Sequence, residues 1–316
     1  MLVYNEAQLQ VEFKKLNLKN NVMFNNRPLM KGERVVIGDM IVSNVDGKVY
    51  GMWNVCPHRK ATFTNKQNDL VAPSKPNAIR CPWHGNEFDV ITGEKVSGPS
   101  KCNNAKVQEL FTSDRLPYFY WDKPIPEEIE RLIGQRHFHL CKFTTFVSDY
   151  NWKHPVETFA ENLHIPYIHP TLKEAVSVKG YKVDDHHWGQ IQHVATQDDD
   201  EYYGTQPGDV ANFVIYDGNF LMEFVGQTLI IQHIIPIAAD RSQVDVFYFR
   251  CDNKDKPELF SDFLDTLLED EELTLAKQRG HSIPFIEVDE TSESHNLEIG
   301  LDMFRSWYYT RMIYSV

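Results

Sequence analysis

Positive charge is scarce in this sequence. Its 32 Lys and Arg face 45 Asp and Glu, a formal net charge of −13 at neutral pH. A nucleic-acid backbone is bound by clustered cations, so nucleic acid is not expected as a partner. Long apolar runs are missing too. The most apolar stretch, residues 220–239, is interrupted by Glu223, Gln227, Gln232 and His233. It reads as paired strands and not as a membrane span. The start, MLVYNEAQLQVEF, has no apolar signal core, because Glu6 and Glu12 arrive early. Only five cysteines occur, Cys56, Cys81, Cys102, Cys141 and Cys251. An odd count in a chain this long is no disulfide framework and fits a reducing compartment, so a cytoplasmic location is expected. There is no internal repeat, no low-complexity tract and no G-x-G-x-x-G after a strand. The chain is therefore not expected to bind a nicotinamide or flavin itself.

What is present suffices for a packed core. Of 316 residues, 42% are hydrophobic and 12% aromatic, enough for one large domain or two ordinary ones. Residues 33–55 alternate apolar and polar positions around Asp46-Gly47, a hairpin signal. Ala78-Ile79-Arg80 and Glu87-Phe88-Asp89-Val90 read as strands, with a turn at Thr92-Gly93. Pro124, Pro126 and the charged run 127–131 mark a connection and a short helix. Beyond it the pattern predicts a helix over 151–164, a broad antiparallel sheet over 190–250, a helix over 257–278 and a closing helix over 304–312. The fold class expected is α+β. An all-β domain at residues 1–135 precedes an α+β domain at residues 136–316, with a broad antiparallel sheet and flanking helices.

Two short motifs carry chemistry. Cys56-Pro57-His58 and Cys81-Pro82-Trp83-His84-Gly85 each place one thiolate and one imidazole on a loop between predicted strands. A Rieske [2Fe–2S] cluster needs this set, with two thiolates on one iron and two imidazoles on the other. In that arrangement Cys56 and Cys81 hold one iron, and His58 and His84 the other. A zinc site uses the same ligand types, but zinc fingers pair Cys with Cys and His with His, whereas both pairs here are mixed.

A second constellation lies in NWKHPVETFAENLHIPYIHP. Glu161 and His164 are three apart and would share a helical face. His169, five beyond His164, would point away on a straight helix, so Pro166 is expected to end or distort it. Two histidines and one carboxylate form the facial triad of non-heme Fe(II) oxygenases. Taken alone, these histidines would read as ordinary core or surface residues. The Cys-His pairs upstream favour the metal reading. His137, His139, His154, His186, His187 and His233 carry no comparable pattern.

CPHRKATF followed by CPWHGNEFDVITGEKVSGPS resembles the Rieske domain of Rieske non-heme iron oxygenases, and the likeness runs from about residue 30 to the end. It departs from the family in three places. Twenty-two residues separate His58 from Cys81, several more than usual, with the surplus in NDLVAPSKPNA. Lys60 stands where Gly is frequent, and Asn86 where an aromatic is. The second string resembles the family's E/D-x2-H-x4-H signature, above all in ring-hydroxylating alpha-subunit members of the choline-monooxygenase-like, quaternary-amine and demethylase kind. That resemblance implies that His164 and His169 bind mononuclear iron. It implies that Glu161 bridges a ligand imidazole to a Rieske histidine of a neighbouring subunit. It also makes Asp270, in LLEDEELTLAKQRG, the third ligand, with Glu269 and Asp265 in reserve.

The activity so implied is hydroxylation or oxidative dealkylation of a small organic substrate. It would use O2 and electrons from a separate reductase, with or without a ferredoxin. NAD(P)H would act only through that reductase. A homotrimer with head-to-tail contacts is implied. The alternative is a Rieske electron-transfer protein without oxygenase activity. An amine substrate would want an aromatic cage, and Tyr202, Tyr203, Phe213, Tyr216 and Phe224 could supply either that or sheet core. Iron content separates the readings. Analysis of the purified protein should find three irons per chain, two from the cluster and one from the triad. Two irons would indicate the carrier, and stoichiometric zinc without sulfide would exclude both.

Overall fold

The computed structural model describes residues 4–18, 21–170, 172–197, 205, 209–252, 254, 257–283 and 295–314. Its contacts divide the chain into two units, Asn20–Ile133 and the pair Met1–Lys19 with Gly134–Val316. The chain opens on helix α1 (Glu6–Leu16). Asn5 caps it by accepting from the Gln8 N–H, and Asn17 ends it in the left-handed region, φ 53°.

The Asn20–Ile133 unit is built from nine short strands. These are β1 (Val22–Phe24), β2 (Arg34–Ile37), β3 (Met40–Val45), β4 (Lys48–Trp53), β5 (Ala78–Arg80), β6 (Glu87–Asp89), β7 (Lys95–Ser97), β8 (Val107–Ser113) and β9 (Leu116–Trp121). One sheet has the order β1-β9-β8-β4-β3-β2, and a three-stranded sheet the order β5-β6-β7. Asp46 and Gly47 join β3 to β4 with φ of 54° and 93°, the double left-handed turn that matches strand twist. Cys56 and Cys81 are buried in one core with Ile41, Met52, Phe63, Ile79 and Phe88. Helix α2 (Glu127–Ile133) closes the unit.

In the second unit, β10 (His139–Ser148) leads into three short helices, α3 (Lys153–Phe159), α4 (Ile165–Ile168) and α5 (Leu172–Ala175). The strands β11 (Val176–His186), β12 (Gly189–Thr196), β13 (Val210–Tyr216), β14 (Phe220–Val225), β15 (Thr228–Ala238) and β16 (Arg241–Arg250) follow. They form an antiparallel sheet in the order β10-β16-β15-β14-β13-β12-β11. Helices α6 (Pro257–His281) and α7 (Ile299–Tyr314) complete the chain. Side chains of α1, α3, α6 and α7 share one apolar core with the sheet, centred on Trp152, Val156, Ile234, Tyr248, Phe304 and Tyr308. No helix among the described residues is long and apolar enough to cross a membrane.

The α+β expectation and the two-domain order agree with this architecture, but the start of the chain does not follow the expected boundary. Residues 1–19, assigned from sequence to the first domain, group with the second unit. The cause is Glu12, fully buried on α1. Its carboxylate accepts from Lys153 Nζ at 2.8 Å, Trp152 Nε1 at 2.7 Å and Tyr308 OH at 2.5 Å. The Leu18 carbonyl accepts from Asn219 Nδ2 at 2.9 Å. The Asn-Trp-Lys string thus has a structural use. Asn151 Oδ1 accepts from the Lys153 N–H at 3.0 Å, while Trp152 and Lys153 tie α3 to α1.

Removing one member of a buried ion pair strands its partner's charge, at about 3–5 kcal/mol. Lys153→Met should therefore lower the melting temperature by on the order of 10 °C. Calorimetry checks this, and an unchanged melting point would refute the anchoring role of the pair.

Candidate active site

Two loops of the first unit present the mixed Cys-His pairs, and they are built alike. After Cys56 the chain turns until the Lys60 N–H donates to the Cys56 carbonyl at 2.9 Å. After Cys81 it turns until the Gly85 N–H donates to the Cys81 carbonyl at 3.0 Å. The residue ending each turn is left-handed, Lys60 at φ 59° and Gly85 at φ 69°. That explains why glycine is frequent at position 60, and why Lys there carries a backbone cost of about 1 kcal/mol. The two cysteines are buried, His58 is half-buried and His84 is exposed. Thiols therefore sit on the core and imidazoles at the surface. The imidazole rings stand 4.9 Å apart, nearly perpendicular.

Burial pushes the Cys56 thiol up to about 11, and the neighbouring Cys81 sulfur adds to the shift. Two thiols crowded in an apolar core are stabilised by releasing their protons to solvent and binding a metal as thiolates. Burial also holds His58 below the usual imidazole range, so it is neutral and ready to ligate. These residues fit a [2Fe–2S] group. The surplus segment between the loops is held by bridges at both sides, Leu70 to Thr64 and Val71 to Arg80 of β5. Its Ser74 donates from N at 2.7 Å and from Oγ at 2.6 Å to the buried Glu87.

In the second unit α3 ends at Phe159, and Glu161–His164 form an irregular turn before α4. This corrects two expectations. Glu161 and His164 do not share a helical face, and Pro166 does not end a helix but sits in the first turn of α4, where its missing N–H costs nothing. The turn is held by Glu161 itself. Its Oε2 accepts from the N–H groups of Leu163 and His164, and its Oε1 meets His164 Nδ1 at 2.7 Å.

His164, His169 and Asp270 converge, their donor atoms all within 4.8 Å of one another. Asp270 Oδ1 lies 3.0 Å from His169 Nε2 and 3.4 Å from His164 Nε2. Asp270 comes from α6, where helical periodicity puts it on one face with Thr266, Thr274 and Lys277. Glu269, its neighbour, reaches the far side of His169, with Oε2 2.8 Å from Nδ1. Each imidazole is thus held at Nδ1 by a carboxylate and offers Nε2 to the centre. Burial opposes the charged form of His164, yet its hydrogen bonds to Asp270 and Glu161 outweigh burial and lift it to about 9. The same balance raises His169. Three carboxylates around two imidazoles demand positive charge, and an Fe(II) ion fits the donor set.

Family models match both parts of the chain. The Rieske [2Fe-2S] domain covers residues 12–110, and the ring hydroxylating alpha subunit (catalytic domain) covers residues 134–313. The chain belongs to the ring-hydroxylating alpha-subunit family. Among curated relatives, chloroplastic choline monooxygenase of Amaranthus tricolor is 22% identical over 66% of this chain and 51% of its own. Putrescine 2-hydroxylase of Ralstonia nicotianae is 26% identical over 60% of this chain and 54% of its own. The chain spans about half the length of these relatives. The structure of the quaternary ammonium Rieske monooxygenase CntA superposes with a TM-score of 0.71 at 17% identity, covering 98% of this chain and 93% of that one. At that identity it shows a shared fold. The cofactors implied for a member of this family are the Rieske cluster and mononuclear iron.

Within this alpha-subunit fold, the reserve Asp265 is exposed and outside the triad. The cavity at the triad is lined by Phe159, Asn162, Phe213, Glu223, Gln232 and Phe263, among others. Of the described residues that could have supplied either an aromatic cage or sheet core, only Phe213 lines it. Tyr216 packs on Trp188 and Phe224 on Phe138, while Tyr202 and Tyr203 lie outside the described residues. Sequence reasoning missed Glu223 and Gln232. Their signal was visible, as polar residues inside an apolar strand pair.

The geometry ranks the two adjacent acids of α6. Asp270→Ala should abolish retention of the mononuclear iron. Glu269→Ala should keep it with affinity reduced about 10–100-fold, the usual effect of removing a ligand's hydrogen-bond partner. Iron analysis after graded chelation checks this, and equal losses in both variants would refute the ranking.

Proposed function

We propose that this chain is the oxygenase component of a Rieske system that hydroxylates or oxidatively dealkylates a small amine. The convergence of His164, His169 and Asp270 carries the reading, because a pure electron carrier would need no second set of donors. Cys56, His58, Cys81 and His84 would hold the cluster, and the triad the mononuclear iron. When bound, that iron supplies O2 activation at coordination positions the facial triad leaves open.

The chain's own residues prepare those positions. Glu161 Oε1 accepts the Nδ1 proton of His164, which fixes the tautomer and frees the Nε2 lone pair. The two backbone N–H groups on Oε2 stop that carboxylate from rotating. Glu269 does the same for His169. Asp270 closes the third corner. Phe159, Phe213 and Phe263 narrow the cavity and limit water.

The amine reading draws on the relatives, whose names state choline, putrescine and quaternary ammonium substrates. Electrons would come from a separate reductase, directly or through a ferredoxin, in the cytoplasm. Glu161 would link His164 to a neighbouring subunit's Rieske histidine in a head-to-tail homotrimer. Inter-subunit electron transfer is described for the quaternary ammonium monooxygenase of this fold.

Single turnover tests the proposal. When the pre-reduced holoprotein meets O2 and an amine substrate, the cluster should oxidise as product forms. His164→Ala should keep the cluster's electron-spin signal and lose all product. Glu161→Gln should keep both metals and slow cluster oxidation about 10–100-fold. Product formation by His164→Ala would overturn the assignment.

A further inference from the structure

Glu223 interrupts a strand whose neighbours Met222 and Phe224 are buried. Its side chain lines the cavity that contains His164, His169 and Asp270. It also lines an adjoining, more apolar cavity with Leu172, Val176, Val225 and Ile230. Phe213, Phe263, Leu172 and Thr266 are common to both linings, so Glu223 marks the place where the two spaces meet.

This carboxylate has little protein company. Among the described residues its one side-chain hydrogen bond comes from Gln232 Nε2, at 3.2 Å, and no Lys or Arg pairs with it. Gln232 is itself buried, 6% exposed. The bond between them uses one amide N–H and one carboxylate oxygen. Among the described residues, the other carboxylate oxygen and the Gln232 side-chain carbonyl have no protein donor. Burial, with the negative Asp270 nearby, pushes Glu223 up to about 8, so at neutral pH it holds a proton that an arriving cation displaces. A carboxyl group away from bulk water contributes nothing to the core that an apolar residue would not provide better. Its place at the junction fits a cation that enters from outside.

We infer that Glu223, assisted by Gln232, receives the ammonium group of a primary or secondary aliphatic amine, with the alkyl chain in the adjoining apolar cavity. This deepens the oxygenase reading above and rests on it. The two unsatisfied acceptors select for N–H donors. A quaternary nitrogen has none and is held best by several aromatic faces. Here Phe213 and Phe263 are the aromatic residues common to both linings, and Tyr216 and Phe224 are used elsewhere in the core. A carboxylate with an adjacent amide carbonyl offers an ammonium group directional bonds that a neutral alcohol of the same length cannot match.

The test uses the metal-replete protein and three probe series of two to six carbons: straight-chain primary ammonium ions, their trimethylammonium counterparts and the 1-alkanols. Calorimetry on wild type should show the primary ammonium series binding more tightly than the other two. Glu223→Gln should weaken that series about 10–100-fold and change the alkanols less than twofold. Glu223→Asp, which keeps the charge, should recover part of the loss. Iron content and the cluster's electron-spin signal confirm that the variants are loaded. Unchanged ammonium affinity in Glu223→Gln would overturn the inference. So would trimethylammonium binding as tight as primary ammonium, or no binding of any ammonium probe to wild type. In a separate arm, pre-reduced wild type receives O2 with the tightest binder. Failure of the cluster to oxidise there would refute the oxygenase reading and leave the binding series to judge Glu223.

Discussion

The second unit is organised around a surplus of negative charge that its own cations do not neutralise at the centre. Glu161, Glu269 and Asp270 all reach the two imidazoles of His164 and His169. Carboxylates near one another in a partly buried space are tolerated only if positive charge sits among them. In the metal-free protein the imidazoles answer by holding protons, which is why His164 rises to about 9. A divalent ion held at Nε2 of both rings would answer the same demand more strongly. The outer carboxylates keep their purpose in either state, since each still accepts an Nδ1 proton.

That centre needs rigid supports, and the chain supplies them with a second, separate charge cluster. Glu12, Lys153, Trp152 and Tyr308 join α1, α3 and α7 in the buried core. Glu157, one turn further along α3, is held near 2 because His154, Arg305 and Lys277 outweigh its burial. Helix α3 is thus fixed at both ends of its polar face before the chain reaches Glu161. Lys277 donates to Thr158 at 2.9 Å, which ties the acid-bearing face of α6 to the end of α3. Glu161, His164 and Asp270 therefore occupy one frame although more than a hundred residues separate Asp270 from the other two.

The features that sequence made legible were those in which chemistry and local conformation coincide. Asp46-Gly47 can make little else than a tight hairpin turn. The mixed Cys-His loops announce their ligands because each repeats one thiol and one imidazole at short spacing between strands. The strand pair at residues 220–239 was visible from its polar interruptions. What escaped depended on long-range pairing. Nothing local says that Glu12 will be claimed by Lys153, so α1 looked like part of the first domain. Nothing local says that Glu269 and Asp270, adjacent on one helix, will approach His169 from opposite nitrogens.

The misreading of the Glu161 segment is the most informative, because the spacing of Glu161 and His164 is the same in a helix and in a turn. Helical periodicity would have put the two side chains parallel on one face, in contact through their tips. In the turn, Glu161 instead spends one oxygen on the backbone N–H groups of Leu163 and His164 and the other on the imidazole. Side-chain capping of this kind competes directly with helix formation, and here it prevails because α3 has already ended at Phe159. The consequence is mechanical. A carboxylate on a helix face swings about its side-chain torsions, whereas one bound at both oxygens holds its direction. Glu161 gains that fixity toward the His164 ring because the helix breaks before it.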